Sequence, residues 1–205
     1  MNSQSLQPTL DLLQIPADYL NLMGYVNEST VNGPGCRAVV WVQGCSRHCP
    51  DCFNPESWSF ELNQLISIED LALKILSNPR NTGVTFSGGE PFWQAPGLAK
   101  LARQVKAAGL TVMAFTGFTL EKLQAPDAPA GATELLAELD LLIDGSYIKE
   151  LAVHSPNSPV SSSNQRLHIF NPQLQDQITW ASDQIEIHVL NNGDRLVTGY
   201  RRYEE

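Results

Sequence analysis

The feature that most constrains the fold of this chain is a short apolar run that leads into a loop with three cysteines. Ala38 to Val42 is continuous and rich in β-branched side chains, which is typical of a buried strand in a parallel sheet. Cys45, Cys49 and Cys52 follow within eight residues, with the spacing Cys-x3-Cys-x2-Cys. The cysteine loop, residues 44–53, is therefore expected at the C-terminal end of a strand, the functional face of barrel-like βα folds.

Three thiolates on one short loop can hold three corners of a cubic iron–sulfur cluster. A 4Fe–4S centre that only transfers electrons takes four cysteine ligands. Here the fourth iron would have no nearby thiolate and would stay open to a substrate or cofactor. Because an open metal position marks a catalytic site, the spacing predicts that Cys45, Cys49 and Cys52 bind a catalytic 4Fe–4S cluster.

Other uses of these cysteines stay open at this point. A structural zinc site usually needs two close cysteine pairs or added histidines. One such pair exists, Cys49 and Cys52, and simultaneous ligation by His48 and its neighbour Cys49 is awkward. Four cysteines in 205 residues do not suggest a disulfide framework, and coincidental reduced thiols are a further alternative. Cys36, which precedes the loop, is expected to be a small, partly buried side chain rather than a ligand.

A βα rhythm continues after the loop. Further strands are predicted at 83–86, 110–115 and 141–143, and helical patterns at 67–78, 98–109 and 134–139. Ser67 is expected to cap the first of these helices, with Asp70 three residues later. The alternation predicts an α/β fold with a parallel sheet and covering helices. Because the units are too few for a closed eight-stranded barrel, we expect a partial, open (β/α) barrel.

Three strand ends carry further candidate groups. The second predicted strand runs into Ser87-Gly88-Gly89-Glu90-Pro91, where the glycines let the backbone approach a ligand and Glu90 can accept an ammonium group. The third ends in Thr116-Gly117-Phe118. The fourth ends at Asp144, a carboxylate that either acts in a site or caps a turn. Each segment also has a simpler interpretation as a βα turn.

The rest of the chain indicates one domain with an extension. Residues 1–18 are expected to form an N-terminal extension, and 19–205 a single domain that begins with a strand from Tyr19 to Val26. Residues 153–166 are expected to be loop. Residues 185–190 and 196–200 form a predicted hairpin with a turn at Asn192-Gly193.

The charge balance limits the expected partners and location. The net charge is −9 and no basic stripe appears, which argues against a nucleic-acid partner. No signal peptide is evident, and no apolar run approaches the roughly 18 residues that span a bilayer. A soluble, cytoplasmic protein without a membrane partner is therefore expected, and reduced thiols suit that compartment.

The residues around the cysteine loop resemble the radical S-adenosylmethionine (SAM) superfamily. The flanking runs 31–37 and 53–58 narrow the resemblance to the activating enzymes of glycyl-radical enzymes, above all those of anaerobic ribonucleotide reductase. Many superfamily members carry an aromatic residue just before the third cysteine. Here that position is Asp51 and the aromatic residue is Phe53, a shift that the reductase activating proteins share. The resemblance is dense over 19–60, recurs at 83–93 and 111–118, and thins after 150.

This resemblance implies a 4Fe–4S cluster and SAM as cofactors, with no catalytic residue beyond the cluster. It implies that SAM chelates the open iron and contacts six further positions: Asp51, Phe53, Gly88, Gly89, Glu90 and Thr116. An electron from a flavodoxin- or ferredoxin-type donor would cleave SAM to methionine and a 5′-deoxyadenosyl radical. This radical would take hydrogen from a glycine of a partner enzyme, expected to be anaerobic ribonucleotide reductase. Residues 161–166 also resemble a segment of these proteins, with Ser161 where glycine is usual.

The sequence leaves two other functions as alternatives. A radical SAM enzyme for a small molecule, such as a deazapurine-forming enzyme, fits the cysteine spacing but not the 53–58 run or the lack of an added domain. A non-catalytic iron–sulfur electron carrier has no need of the ligand-binding segment at 87–91. A spectroscopic change on addition of SAM would distinguish the carrier from the enzymes.

Overall fold

The computed structural model of the chain describes residues 15–153, 158–175, 178–180, 184–189 and 195–200. The strands in these residues are β1 Tyr19–Ser29, β2 Arg37–Val42, β3 Gln64–Ser67, β4 Gly83–Gly88, β5 Thr111–Phe115, β6 Leu141–Asp144, β7 Arg166–Ile169, β8 Gln184–Val189 and β9 Arg195–Tyr200. The α-helices are α1 Ile68–Leu76, α2 Ala95–Ala107, α3 Leu120–Leu123 and α4 Ala132–Leu136. Of the predicted N-terminal extension, residues 1–14 lie outside the described residues.

A mixed sheet organises the chain. Its strand order is β3-β1-β2-β4-β5-β6-β7. The four central strands, β2, β4, β5 and β6, run parallel, whereas β1, β3 and β7 pair antiparallel with their neighbours. The predicted α/β class and the parallel centre are confirmed, and the predicted parallel sheet is corrected at both edges, where the strands run antiparallel.

Connection length explains one antiparallel edge. Parallel neighbours need a crossover of a dozen or more residues, usually with a helix, whereas antiparallel neighbours accept a short link. Residues 30–36 between β1 and β2 are too few for a crossover. The parallel pair β2 and β4, by contrast, is joined through the long segment that contains the cysteine loop and α1.

The main core lies between the sheet and its helices. All six residues of β2 are buried, as the apolar run predicts, and helices α1, α2 and α4 cover the same face of the sheet. Helix α1 is capped as predicted, because the Ser67 hydroxyl accepts a 3.0 Å hydrogen bond from the Asp70 backbone N–H. None of the helices in the described residues has the length and apolar character that a membrane span requires.

The hairpin β8–β9 covers part of the other face. Its strands pair antiparallel as a separate two-stranded sheet, which confirms the predicted hairpin, although the turn at 190–194 lies outside the described residues. Leu196 of β9 packs against a small cluster of Val26, Val39 and Trp41. This face of β1 and β2 is thus covered in part by β9.

Candidate functional site

Four loops meet where the parallel strands end. The cysteine loop follows β2, residues 88–92 end and follow β4, residues 116–118 follow β5, and residues 144–148 end and follow β6. Because these strands are parallel neighbours, their C-terminal ends lie along one edge of the sheet. The cysteine loop and the three further candidate segments therefore all lie along this edge.

The cysteine loop has an unusual backbone conformation. His48 and Asp51 have φ angles of 46° and 55°, in the left-handed region that few residues other than glycine adopt, though Asp and His do so more often than most. In the same stretch, the Cys52 N–H donates a 3.1 Å hydrogen bond to the Cys49 carbonyl. These turns fold the loop back on itself and bring all three cysteines onto one short, compact segment.

The burial of the thiols suits metal ligation. Cys45 is buried, and Cys49 and Cys52 are partly buried. Burial raises the pKa of the Cys45 thiol to about 11. Burial, with the nearby Cys52, also raises the pKa of Cys49. A lone thiolate is therefore unfavourable here, and iron would supply the positive charge that stabilises the ligating form.

A single metal ion and a cubic cluster make different demands on the thiolates. Within the described part of the chain, no three His, Cys, Asp or Glu side chains form a group that could hold one ion. In a cubic cluster each thiolate binds a different iron, so the sulfur atoms need not converge on one point. The residues present therefore fit the 4Fe–4S cluster that the spacing predicts.

Cys36 is remote from this loop. It precedes β2, whereas Cys45 follows β2, and the six residues of that strand span about 20 Å at about 3.3 Å per residue. The Cys36 Sγ lies 3.9 Å from Asn81 Oδ1. Cys36 is thus too far away to share a cluster with Cys45.

Glu90 is the buried carboxylate of the site. Its residue exposure is 1%. It accepts hydrogen bonds from the Thr116 hydroxyl at 2.7 Å and from the backbone N–H groups of Phe92 at 3.1 Å and Gly117 at 2.8 Å. The structure thus brings together two predicted ligand residues, Glu90 and Thr116. Burial raises the pKa of Glu90, while Arg47 and these hydrogen bonds offset part of that effect.

The two glycines before Glu90 pack against the strand and loop that carry the cysteines. A Cβ on Gly88, which has a φ of +95°, would lie 2.6 Å from the Val42 backbone nitrogen, and a Cβ on Gly89 would lie 2.4 Å from the Gly44 carbonyl oxygen. The Glu90 N–H also donates to the Gly44 carbonyl at 2.9 Å. Close backbone approach is therefore required here, as expected of glycine, and its partner in the chain is the base of the cysteine loop.

Arg47, which the sequence analysis did not single out, crosses the site from inside the cysteine loop. Its Nε lies 3.6 Å from Glu90 Oε2, its Nη1 donates to Ser146 Oγ at 2.8 Å, and its Cζ lies 4.3 Å from the centroid of the Phe118 ring. The one local signal for Arg47 is that it is a cation between two proposed cluster ligands, and its partners in the loops after other strands have no such signal in the sequence.

The two remaining predicted positions, Asp51 and Phe53, contact the segment after β6. Asp51 forms an ion pair with Lys149. The Phe53 ring is 57% exposed and meets the Tyr147 ring edge-on, with centroids 5.7 Å apart. Both residues lie at the C-terminal end of the cysteine loop, and they tie that end of the loop to the neighbouring segment.

Asp144 is a structural anchor. It is fully buried, accepts from the Leu120 N–H at 2.7 Å, pairs with Arg166, and lies 3.1 Å from His168 Nε2. Arg166 ends the 161–166 segment, for which the sequence suggested no role. That segment also bonds to the loop after β6, through Gln165 Nε2 to the Gly145 carbonyl at 2.9 Å. It thus fixes the loop that receives Arg47 and Asp51.

A family model for a 4Fe-4S single cluster domain matches residues 31–168, a range that includes the cysteine loop, Glu90 and Arg166. The chain is similar to the anaerobic ribonucleoside-triphosphate reductase-activating protein of Escherichia coli K12, at 29% identity over 64% of this chain and 88% of that protein. It is 33% identical to the protein of that name from enterobacteria phage T4, over 67% and 86% of the two chains. The pyruvate formate-lyase-activating enzyme of Staphylococcus epidermidis is 37% identical over 40% of this chain and 35% of its own length.

Proposed function

Because the chain belongs to the family of 4Fe-4S single cluster domains and is related to activating proteins of anaerobic ribonucleoside-triphosphate reductase, we propose that it activates a glycyl-radical enzyme. It is a radical SAM activating enzyme with a 4Fe–4S cluster and SAM as cofactors. The partner is a separate enzyme, anaerobic ribonucleotide reductase, on which it generates a glycyl radical. The observation that supports this most strongly is that a three-cysteine loop and a buried glutamate lie side by side at one edge of the sheet.

The residues of the chain have distinct parts in this activity. Cys45, Cys49 and Cys52 bind the cluster and leave one iron without a protein thiolate. Glu90 accepts a hydrogen bond from the ammonium group of the SAM methionyl moiety, next to Thr116. Glu90 suits this task because it is buried and fixed by three hydrogen bonds, so that little reorganisation is needed when a cation binds.

The other predicted positions are also proposed to contact SAM. Gly88 and Gly89 hold the backbone close to the cysteine loop, and their peptide groups lie at the rim of the ligand site. Phe53 and Asp51 lie at the end of the cysteine loop, where an exposed ring can pack against a flat ligand group. When bound, the cofactors supply a one-electron cleavage that yields methionine and a carbon-centred radical, which takes hydrogen from the partner's glycine.

The sheet is proposed to curve as a partial, open (β/α) barrel within a single domain over 19–205. In support, the Arg47 side chain starts from the loop after β2 and reaches Ser146 after β6, although β4 and β5 lie between these strands. A barrel that is open at one side would let a loop of a large partner enter.

Further partners follow from the chemistry and from the charge. The electron comes from a donor of the flavodoxin or ferredoxin type. No nucleic-acid or membrane partner is proposed, given the net charge of −9, and the cytoplasm is the proposed location.

The test is electron paramagnetic resonance on the anaerobically reconstituted protein, mixed with SAM, a reductant and anaerobic ribonucleotide reductase. We expect a glycyl-radical doublet that disappears when the reductase glycine is replaced by alanine. Absence of the doublet, together with deoxyadenosine formed from SAM at full rate without any protein partner and only when a small molecule is added, would favour the small-molecule enzyme instead.

The similarity to a pyruvate formate-lyase-activating enzyme favours one second candidate, a partner of that class. The same experiment with pyruvate formate-lyase in place of the reductase distinguishes the two. A doublet on the lyase and none on the reductase would identify the partner as an enzyme of the pyruvate formate-lyase class.

A further inference from the structure

Arg47 joins the middle of the cysteine loop to the ends of three neighbouring strands. It stands between the first and second proposed cluster ligands and contacts groups that follow β4, β5 and β6. The base of the loop is held separately, by the Glu90 N–H at the Gly44 carbonyl. That backbone bond cannot fix the second and third cysteines, which come after Arg47. The Arg47 side chain therefore acts on the part of the loop that the backbone bond leaves free.

Gly117 provides the surface across which Arg47 lies. A Cβ on Gly117 would lie 2.2 Å from Arg47 Cδ and 2.3 Å from Arg47 Nε. Gly117 is not among the glycines with a left-handed backbone, so its φ angle does not itself require glycine. The three atoms nearest to that Cβ all belong to Arg47. The need for glycine at this turn thus comes from the arginine side chain.

The Arg47 guanidinium is held beside Glu90 without a hydrogen bond to it. Arg47 Nε is buried and has no hydrogen-bond partner among the described residues, and Glu90 Oε2 is 3.6 Å away. That oxygen accepts from the Gly117 N–H, and a carboxylate oxygen has room for a further donor. Arg47 therefore brings the loop to Glu90 and leaves Glu90 able to accept a bond from a ligand.

We propose that Arg47 is a positioning residue that sets the cysteine loop relative to Glu90, and that Gly117 is glycine because Arg47 lies across it. This rests on the proposed function, since Glu90 matters here as the acceptor for the ammonium of SAM. One SAM molecule must reach both the open iron and Glu90. The spacing between the loop and Glu90 therefore controls its affinity, and Arg47 is a direct side-chain link across that space.

The test compares Arg47→Ala, Gly117→Ala and the double variant. Gly117→Ala keeps the backbone N–H that donates to Glu90, but its methyl group displaces the flexible Arg47 side chain. We expect each single variant to weaken SAM binding to the reconstituted protein about tenfold, the lower end of the usual cost of losing a residue that supports a metal site. The double variant should bind SAM about as well as either single variant, because both changes remove the same interaction.

Three affinity results would overturn the proposal. Unchanged SAM affinity in Arg47→Ala would mean that Arg47 positions nothing. Tighter binding would mean that Arg47 competes with the ligand's ammonium for Glu90. A double variant about a hundredfold weaker than wild type would mean that Arg47 and Gly117 act independently. Gly24→Ala is the control, because a Cβ there meets nothing closer than Leu196 at 4.0 Å.

A second measurement does not depend on SAM. Hydrogen–deuterium exchange on the cluster-free protein should show faster exchange of the amides in 45–53 in Arg47→Ala and Gly117→Ala, and no change in Gly24→Ala. Equal amide exchange rates at 45–53 in Arg47→Ala and wild type would refute the positioning role of Arg47, even if wild type binds SAM. Conversely, wild-type protein that carries a cluster but fails to bind SAM would refute the proposed function. The exchange experiment would still test whether Arg47 positions the cysteine loop. Circular dichroism on all variants verifies that they are folded.

Discussion

Replacement of Asp144 by Asn should destabilise the protein in a way that depends on pH. Asn has nearly the same shape as Asp but carries no charge, so the change removes the ion pair without opening a cavity. Asp144 is the buried end of a pair with Arg166, and it also accepts from the Leu120 N–H at 2.7 Å. The variant therefore isolates the contribution of one charge at the end of β6.

The size of the effect follows from the exposure of the two partners. Removing one partner of a fully buried ion pair costs about 3–5 kcal/mol. The Arg166 side chain is 44% exposed and Asp144 only 1%, and Arg166 keeps two hydrogen bonds to Glu121, at 2.8 and 2.7 Å. Since Arg166 is not left buried without a partner, we expect a loss of about 2 kcal/mol in the free energy of unfolding. For a chain of this size, that lowers the thermal midpoint by roughly 4–8 °C.

The sign of the pH dependence follows from the pKa of Asp144. Burial alone would raise this pKa, but hydrogen bonds from Arg166 and the Leu120 N–H, together with the nearby His168, outweigh burial and lower it. A lowered folded-state pKa gives stability above the ordinary value of about 3.9, and this stability is lost as the pH falls through the folded-state value. The difference between wild type and Asp144→Asn should therefore be full at pH 7 and shrink below about pH 4.

Urea unfolding of the cluster-free protein, followed by tryptophan fluorescence at several pH values, measures this difference. Glu121→Gln is the matched control, because it removes the exposed partner of Arg166 and leaves Asp144 in place; it should unfold like wild type. Equal stability of Asp144→Asn and wild type at pH 7 would refute the reasoning. So would a difference that stays constant as the pH falls.

Further predictions concern the cysteine loop. Replacing Cys45, Cys49 or Cys52 by Ala should abolish iron binding after anaerobic reconstitution, whereas Cys36→Ala should keep it; iron loss in Cys36→Ala alone would contradict the ligand assignment. Gly89→Ala should reduce the iron content and cost about 1–3 kcal/mol, because its Cβ would lie 2.4 Å from the Gly44 carbonyl oxygen. Iron analysis and urea unfolding check this, and normal iron content with weakened SAM binding alone would show that Gly89 acts on the ligand instead.

Local patterns in the sequence predict the central elements of the fold well. The apolar run at 38–42 marks β2 because a strand covered on both faces has no polar positions. Ser67 marks the start of α1 because its hydroxyl satisfies an N–H that the helix leaves unpaired. Both signals are local, so they can be recognised in the sequence without knowledge of the tertiary structure.

The edges of the sheet could not be predicted in this way. Strands β3 and β7 have four residues each. The sequence of β3 does not alternate between apolar and polar residues, and the alternation in β7 is too short to mark a strand by itself. β3 pairs with β1 and β7 pairs with β6. Each short strand therefore forms by hydrogen bonding to the exposed edge of its neighbour. Such pairing is set by tertiary contacts rather than by the propensity of four residues.

Arg37 illustrates the same limit for a single side chain. It is 1% exposed and donates to five neutral acceptors: Thr85 Oγ1, Thr111 Oγ1, and the carbonyls of Pro34, Val84 and Thr111. A charged residue at the start of a strand is usually exposed. The sequence does not distinguish this buried arginine from an exposed one, because its acceptors come from separate strands.

In the candidate site, too, the sequence predicts the local groups but not the long-range contacts between them. The cysteine spacing and the Gly-Gly-Glu run predict the groups that act, because those groups are contiguous in the sequence. What brings them together is not contiguous. Arg47 meets Ser146 across 99 positions of the chain, and Thr116 meets Glu90 across 26. A single sequence contains no signal for such pairs.

The cysteine loop therefore depends on its neighbours more than on its own sequence. Few hydrogen bonds lie within it, and it contains no helix or strand. Its base is held by the Gly44 N–H at the Ser57 carbonyl, its middle by Arg47, and its end by Asp51 at Lys149. Two of these three anchors end on the segment after β6, which the Asp144–Arg166 pair fixes in turn. Loss of that pair should therefore loosen the cysteine loop as well as lower stability, and Asp144→Asn should speed amide exchange at 45–53 where Glu121→Gln does not.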